Sequence, residues 1–237
     1  MPVVSIATAA PAFAASPCAA LTNQTLDWDG ANTTYTRNSP ASGTAIFDPD
    51  GLGPIPTLTL GVAASYVGNM RAGNEAGSTA NALRVKAAIG GLGISGLGLE
   101  QATTSKSPQG SADRGTYTFT FSQPVTNLRF TLTDIDSASN DFWDVLQPQA
   151  GYTVTSQGSG VGTDTNGIGG GRRFFRTVAN GPVDNTTGSA GNLGLSYAGP
   201  VTTFSITYWN GASAFGDTID TDQIIYISDM TFDYKPC

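Results

Sequence analysis

The chain has 237 residues, 39% of them hydrophobic and only 12% charged, with a net charge of −7 and no histidine. That length can hold one large all-β domain with a full core, and the acidic balance argues against nucleic acid as a partner, because such binding needs a basic stripe. Without imidazole there is no Ser-His-Asp or Cys-His catalysis, and no histidine-built zinc or copper site.

Residues 3–14, VVSIATAAPAFA, form a short apolar run closing on Ala12-Phe13-Ala14, the small-x-small pattern of signal-peptide cleavage. No basic stretch precedes the run, so 1–14 reads as the rear half of a signal peptide ahead of a single domain at 15–237. The run also resembles the tail of bacterial twin-arginine signal peptides. It is too short to span a bilayer, and no later window approaches membrane-helix length. The expectation is a secreted or cell-surface protein with no transmembrane segment in the mature chain. The two cysteines, Cys18 and Cys237, bracket that mature domain. In an exported protein such a pair is expected to form a disulfide. Closing so long a loop is worth roughly 5 kcal/mol at most by chain entropy.

Period-2 alternation punctuated by Gly, Pro, Asn and Asp predicts strands at 24–28, 44–47, 83–88, 116–121, 128–134, 152–155, 173–178, 193–197, 204–209 and 223–234. Tyr117, Phe119 and Phe121 share one strand face, as do Phe204, Ile206 and Tyr208. Ile225 and Ile227 make the last strand apolar on both sides, as in a central strand. The Gly-rich tracts 90–98 and 158–171 read as loops and lack the strand-then-helix setting of a phosphate-binding loop. No window holds a capped 3.6-residue period. The expected fold is an all-β, two-sheet antiparallel β-sandwich of jelly-roll type.

Residues 125–146 carry the densest chemistry. Leu128, Phe130 and Leu132 alternate with polar residues, and the same parity runs on to Asp134 and Asp136. Asn140, Asp141 and Asp144 follow in what reads as one polar loop. These five oxygen-bearing side chains suit a hard cation such as calcium, which takes six to eight oxygens, although the spacing is not that of an EF-hand. Calcium is the expected cofactor if the loop closes on itself. If it stays open, water screens the charges and nothing need bind.

A second acidic stretch, 216–222, reads as a polar hairpin loop, and Arg172, Arg173 and Arg176 as solvated strand surface. Trp143 in the acidic loop and Trp209 at a strand end could present flat rings to a sugar; the alternative is that they fill the core. No acid sits in a recognisable catalytic signature, so no catalytic residue is assigned. A carboxylate pair of the glycosidase kind is the catalytic option left.

The stretch FSQPVTNLRFTLTDID at 121–136, with GPVTTFSITY at 199–208, resembles a broad group of exported bacterial surface domains that share these two patterns. The resemblance covers about residues 110–237 and implies a secreted or cell-surface β-sandwich. The expected function is a non-enzymatic module, adhesive or structural, with a surface glycan or protein as partner. A carbohydrate-binding module is the alternative, and a polysaccharide-active enzyme the third reading.

Overall fold

The structure, a computed structural model, describes residues 18–51, 53, 55–73, 81–177, 181–216 and 222–236. The expected signal remnant, Cys237, and the Asp217 and Asp220 of the second acidic stretch lie outside the described residues.

The strands in chain order are β1 (Leu21–Leu26), β2 (Thr33–Ser39), β3 (Ser42–Phe47), β4 (Leu58–Val67), β5 (Met70–Ala72), β6 (Val85–Lys86), β7 (Gly96–Thr103), β8 (Arg114–Thr133) and β9 (Ser137–Ala138). They continue with β10 (Phe142–Pro148), β11 (Thr153–Gln157), β12 (Val161–Asp164), β13 (Arg173–Arg176), β14 (Leu193–Tyr197), β15 (Val201–Asn210), β16 (Gln223–Ser228) and β17 (Met230–Tyr234). Every ladder is antiparallel, and the described residues contain no α-helix, so the all-β class expected from the sequence is the one observed.

The 20-residue β8 organises the rest. Its first half lies between β4 and β15, with Thr118 opposite both Ala63 and Ser205. Its second half lies between β14 on one flank and β16 and β17 on the other. From the first half a wing extends through β4, β3 and β2 one way, and through β15, β10, β13 and β12 the other. From the second half, β14 leads to β11, β17 to β1, and β16 to β7 with β5 and β6.

Buried parity changes along β8: Tyr117, Phe119, Phe121 and Val125 point inward, then Leu128, Phe130 and Leu132. One extra residue causes the change. Thr231 pairs Arg129 and Asp233 pairs Thr126, so three steps of β8 oppose two of β17. Asn127 takes a positive φ of 51° there. This is a bulge, which bends the strand and re-aims its side chains.

The wings meet through aromatic rings. Phe204 of β15 stacks on Phe119 at 4.8 Å and on Phe130 at 5.0 Å. Phe232 of β17 contacts Phe121 at 5.6 Å and Phe47 at 5.9 Å. Buried residues from Leu26 to Tyr234 form one continuous cluster.

Several expected elements are redrawn. The Gly-rich tract 90–98 is not all loop, because β7 begins at Gly96 and is buried along its whole length. Glycine there permits close approach: a Cβ on Gly98 would meet the Asn81 carbonyl at 2.8 Å. Likewise β12 occupies part of 158–171, and the single strand expected at 223–234 breaks at Asp229 into β16 and β17. Asp144 lies inside β10, paired with Asn210 of β15, and not on a loop.

Phe204 links both halves of the core, so Phe204→Ala is expected to cost about 3–5 kcal/mol. Chemical denaturation would show it, and a loss under about 1 kcal/mol would mean the ring column does not join the wings.

Candidate functional site

The acidic segment departs from β8 at Asp134, whose φ of 69° turns the chain out of the ladder. The 181–192 segment then covers it: the Ile135 amide donates to the Gly191 carbonyl at 3.1 Å, and the Val183 amide donates to Asp136 Oδ2 at 2.6 Å. A short turn follows, with Asn140 at φ 58° and its carbonyl accepting from the Gly216 amide at 2.6 Å. Asn210 clamps the return. Its Oδ1 accepts from the Trp143 and Ala212 amides, while its Nδ2 donates to the Asp141 carbonyl at 3.0 Å.

The five expected cation ligands are dispersed. Asp144 points into the core and is fully buried. Its Oδ1 accepts from the Tyr208 hydroxyl at 2.5 Å and Gln223 Nε2 at 2.8 Å, and its Oδ2 accepts from the Asp136 amide at 3.1 Å. Gln101 Nε2 donates in turn to Gln223 Oε1 at 2.9 Å. Asp134 and Asp136 are each only 5% exposed, Asp141 is half-buried, and Asn140 faces solvent. Among the described residues no three acidic or cysteine side chains converge closely enough to hold a metal ion.

Burial decides the titration of these acids. It pushes the Asp134 carboxyl up to about 8, helped by Asp136 and Asp184 and opposed by Lys86. Burial also lifts Asp136 to about 6 against the Val183 amide and the Arg176 charge. Asp144 is raised as well, by burial and then by Asp136, although its three donors pull the other way. Asp134 Oδ1 is buried with no hydrogen-bond partner, as the neutral form tolerates better than the charged one.

The two tryptophans part company. Trp209 sits between Val145 and Arg114 in the cross-strand row and is 4% exposed, so it has little face to offer a sugar. Trp143 is half-exposed, and its Nε1 donates to the Arg176 carbonyl at 2.7 Å, which fixes the indole. It borders an open pocket of about 190 Å³ together with Val145, Arg173, Phe175 and Gly211.

Arg173 lies 5.3 Å over the Phe175 ring and is held by Asp164 through two hydrogen bonds of 2.7 and 2.9 Å. It is therefore not the freely solvated arginine that the sequence suggested. Gly211 is needed for space, since a Cβ there would meet Val145 Cγ2 at 2.5 Å. Phe175, Arg173, Asn210 and the Gln101–Gln223 pair escaped the sequence reading. The alternation of Arg173 and Phe175 was its one available signal for this pocket.

Comparison with known protein families, with curated proteins and with solved structures gave no match, so the reading rests on the chain's own geometry. No helix among the described residues is long and apolar enough to cross a membrane.

The raised carboxyls fix the sign of the pH dependence. From pH 8 down to about 4 the folded state binds more protons than the unfolded chain, so acidification stabilises it. The stability gained is lost as pH rises through the folded values of about 6 for Asp136 and about 8 for Asp134. Asp164, Asp184 and Asp233 are lowered and act oppositely, below the ordinary carboxylate range. The melting temperature at pH 5 should exceed that at pH 8 by about 3 °C or more. A melting temperature that climbs steadily from pH 5 to 8 would contradict this.

Proposed function

We propose that the chain is a non-enzymatic, exported surface module of adhesive type whose contact is a glycan. One observation carries the reading. A half-exposed Trp143 is locked beside Phe175 and Val145, with Arg173 at the rim, in a pocket open to solvent. Flat rings with fixed orientation suit the apolar face of a sugar, while a rim guanidinium suits its hydroxyls. Asp164 is held by the rim arginine, and two acids of the neighbouring acidic segment are spent internally. Asp144 and Asp136 accept hydrogen bonds that hold the scaffold, which favours recognition over bond-breaking.

Export is supported by the apolar run at 3–14 with its Ala12-Phe13-Ala14 ending. The resemblance of 121–136 and 199–208 to exported bacterial surface domains points the same way. A purely structural role is the second reading, favoured by the proposed Cys18–Cys237 disulfide. The register of β1 on β17 pairs Leu21 with Tyr234, three residues from each cysteine in sequence. No described cysteine is free.

Glycan-array screening of the protein should give binders, and Trp143→Ala should weaken them by about tenfold or more without unfolding the protein, the loss expected for one aromatic anchor. Binding unchanged by Trp143→Ala, or an array without binders, would reject the reading. Mass analysis under non-reducing conditions should find the two cysteines linked within one chain, and two alkylatable thiols would refute the disulfide.

A further inference from the structure

A second open cleft lies away from the tryptophan pocket, between the 81–86 segment and the 185 loop. It is a cleft of about 270 Å³ lined by Asn81, Arg84, Val85, Lys86, Asn185 and Tyr226. Its walls are pinned by backbone hydrogen bonds. The Gly90 amide donates to the Asn185 carbonyl at 3.0 Å, Gly91 to Thr186 at 2.9 Å, and Gly98 to Arg84 at 2.9 Å. The Asp184 carboxylate accepts from the Thr186 and Thr187 amides and the Thr187 hydroxyl, which sets the loop that carries Asn185. Gly90, at φ 54°, allows the close approach, since a Cβ there would strike Thr133 and Asn192.

In a chain of net charge −7, this cleft gathers two of its 11 cations. Arg84, at the end of the 81–84 turn, and Lys86, in β6, both line the cleft on either side of Val85. Among the described residues neither forms an ion pair. Lys86 Nζ lies 5.9 Å from the centre of the Tyr226 ring, a loose cation–π contact that leaves its donors available. Asn185 Oδ1 accepts from the Thr186 hydroxyl, and that bond leaves the Asn185 amide N–H groups unused. The acids that share electrostatics with the cleft residues are Asp184, exposed and already accepting three hydrogen bonds, Asp134, buried beside them, and Glu100, buried and accepting from the Asn81 and Ala82 amides.

We propose that this cleft binds the carboxylate of an acidic sugar, a uronic acid residue of a polysaccharide. The guanidinium of Arg84 offers a two-pronged match to a carboxylate, and Lys86 adds a point charge. Asn81, Asn185 and the Tyr226 edge supply the mixed donors and acceptors that ring hydroxyls need. The cleft is small for a drug-sized ligand but sufficient for one ring. The proposal deepens the glycan reading, yet it uses different residues from the Trp143 pocket, so the two can fail separately.

The test is calorimetric titration of the full chain with trigalacturonate, neutral trigalactose and inorganic phosphate, for the native protein, R84Q/K86M and Trp143→Ala. Arg84 is exposed and Lys86 half-exposed, and both replacements keep an unbranched stem, so folding should be retained; equal melting temperatures would verify it. The expected result is that trigalacturonate binds, trigalactose binds at least tenfold more weakly at low salt, and R84Q/K86M loses tenfold or more of the uronate affinity. Trp143→Ala should retain that preference for uronate over neutral sugar. Equal uronate binding by R84Q/K86M, no preference for uronate, or tighter binding of phosphate than of uronate would each overturn the proposal. Neutral-glycan binding unchanged in Trp143→Ala would fault the tryptophan pocket and leave the cleft standing.

Discussion

The constraint on which the molecule depends is that β8 must be hydrogen-bonded on both flanks along most of its 20 residues. A strand that is interior in each half cannot be displaced without breaking ladders to β4, β15, β14, β16 and β17. Its inward residues must also face one shared core from both halves. A strict two-residue period would turn Leu128, Phe130 and Leu132 outward after Phe121 and Val125. The bulge at Asn127 corrects this, because an extra residue restores the inward side at the cost of one irregular pair. With the register reset, Phe130 reaches Phe204 and Phe121 reaches Phe232, so the same strand builds the ladders and the rings that hold them together.

Where β8 ends, the polar interior begins. Asp144, Tyr208, Gln223 and Gln101 form a buried chain between β10, β15, β16 and β7. Replacing such a chain with apolar side chains of equal volume often leaves stability unchanged or improves it, whereas removing one member leaves buried donors unsatisfied. Its contribution is therefore to register. Asp144 can accept from Tyr208, Gln223 and the Asp136 amide together only when β10 is correctly placed against β15 and the acidic turn is folded over it. Asp136 and Asp144, which look in sequence like ligands for a cation, accept here from protein donors.

The sequence was legible where alternation met burial. Tyr117 to Phe121, Leu128 to Leu132, Leu193 to Tyr197 and Phe204 to Trp209 all lie in strands. It was illegible where a strand is buried on both faces and built from small residues: the GLGLEQAT of β7 has no alternation to read, and its glycines mimic a loop. It also misled at Phe142 to Pro148, where Asp144 looks like loop composition, because a buried carboxylate with three donors leaves no trace in a one-dimensional pattern. The difference between Trp143 and Trp209 was likewise invisible. Trp143 lies in β10 and Trp209 in β15, and only the row Phe175–Val145–Trp209–Arg114 shows which one is covered.

Charge placement gives the strongest physical link between the two proposed contacts. Low overall charge and an acidic surface keep such a chain from binding polyanions indiscriminately. Any anionic ligand must then find cations that are fixed and not already neutralised. Arg173 does not qualify, because Asp164 holds it in a bidentate pair and it serves as a rim over Phe175. Arg84 and Lys86 do qualify, since they face a pinned cleft with no ion-pair partner among the described residues. Raising Asp134 toward neutrality by burial weakens one opposing charge beside Lys86, while Asp184 stays ionised but is occupied by the amides and hydroxyl of its own loop. A neutral ring would gain nothing from that arrangement, whereas a carboxylate-bearing one would gain attraction and orientation together.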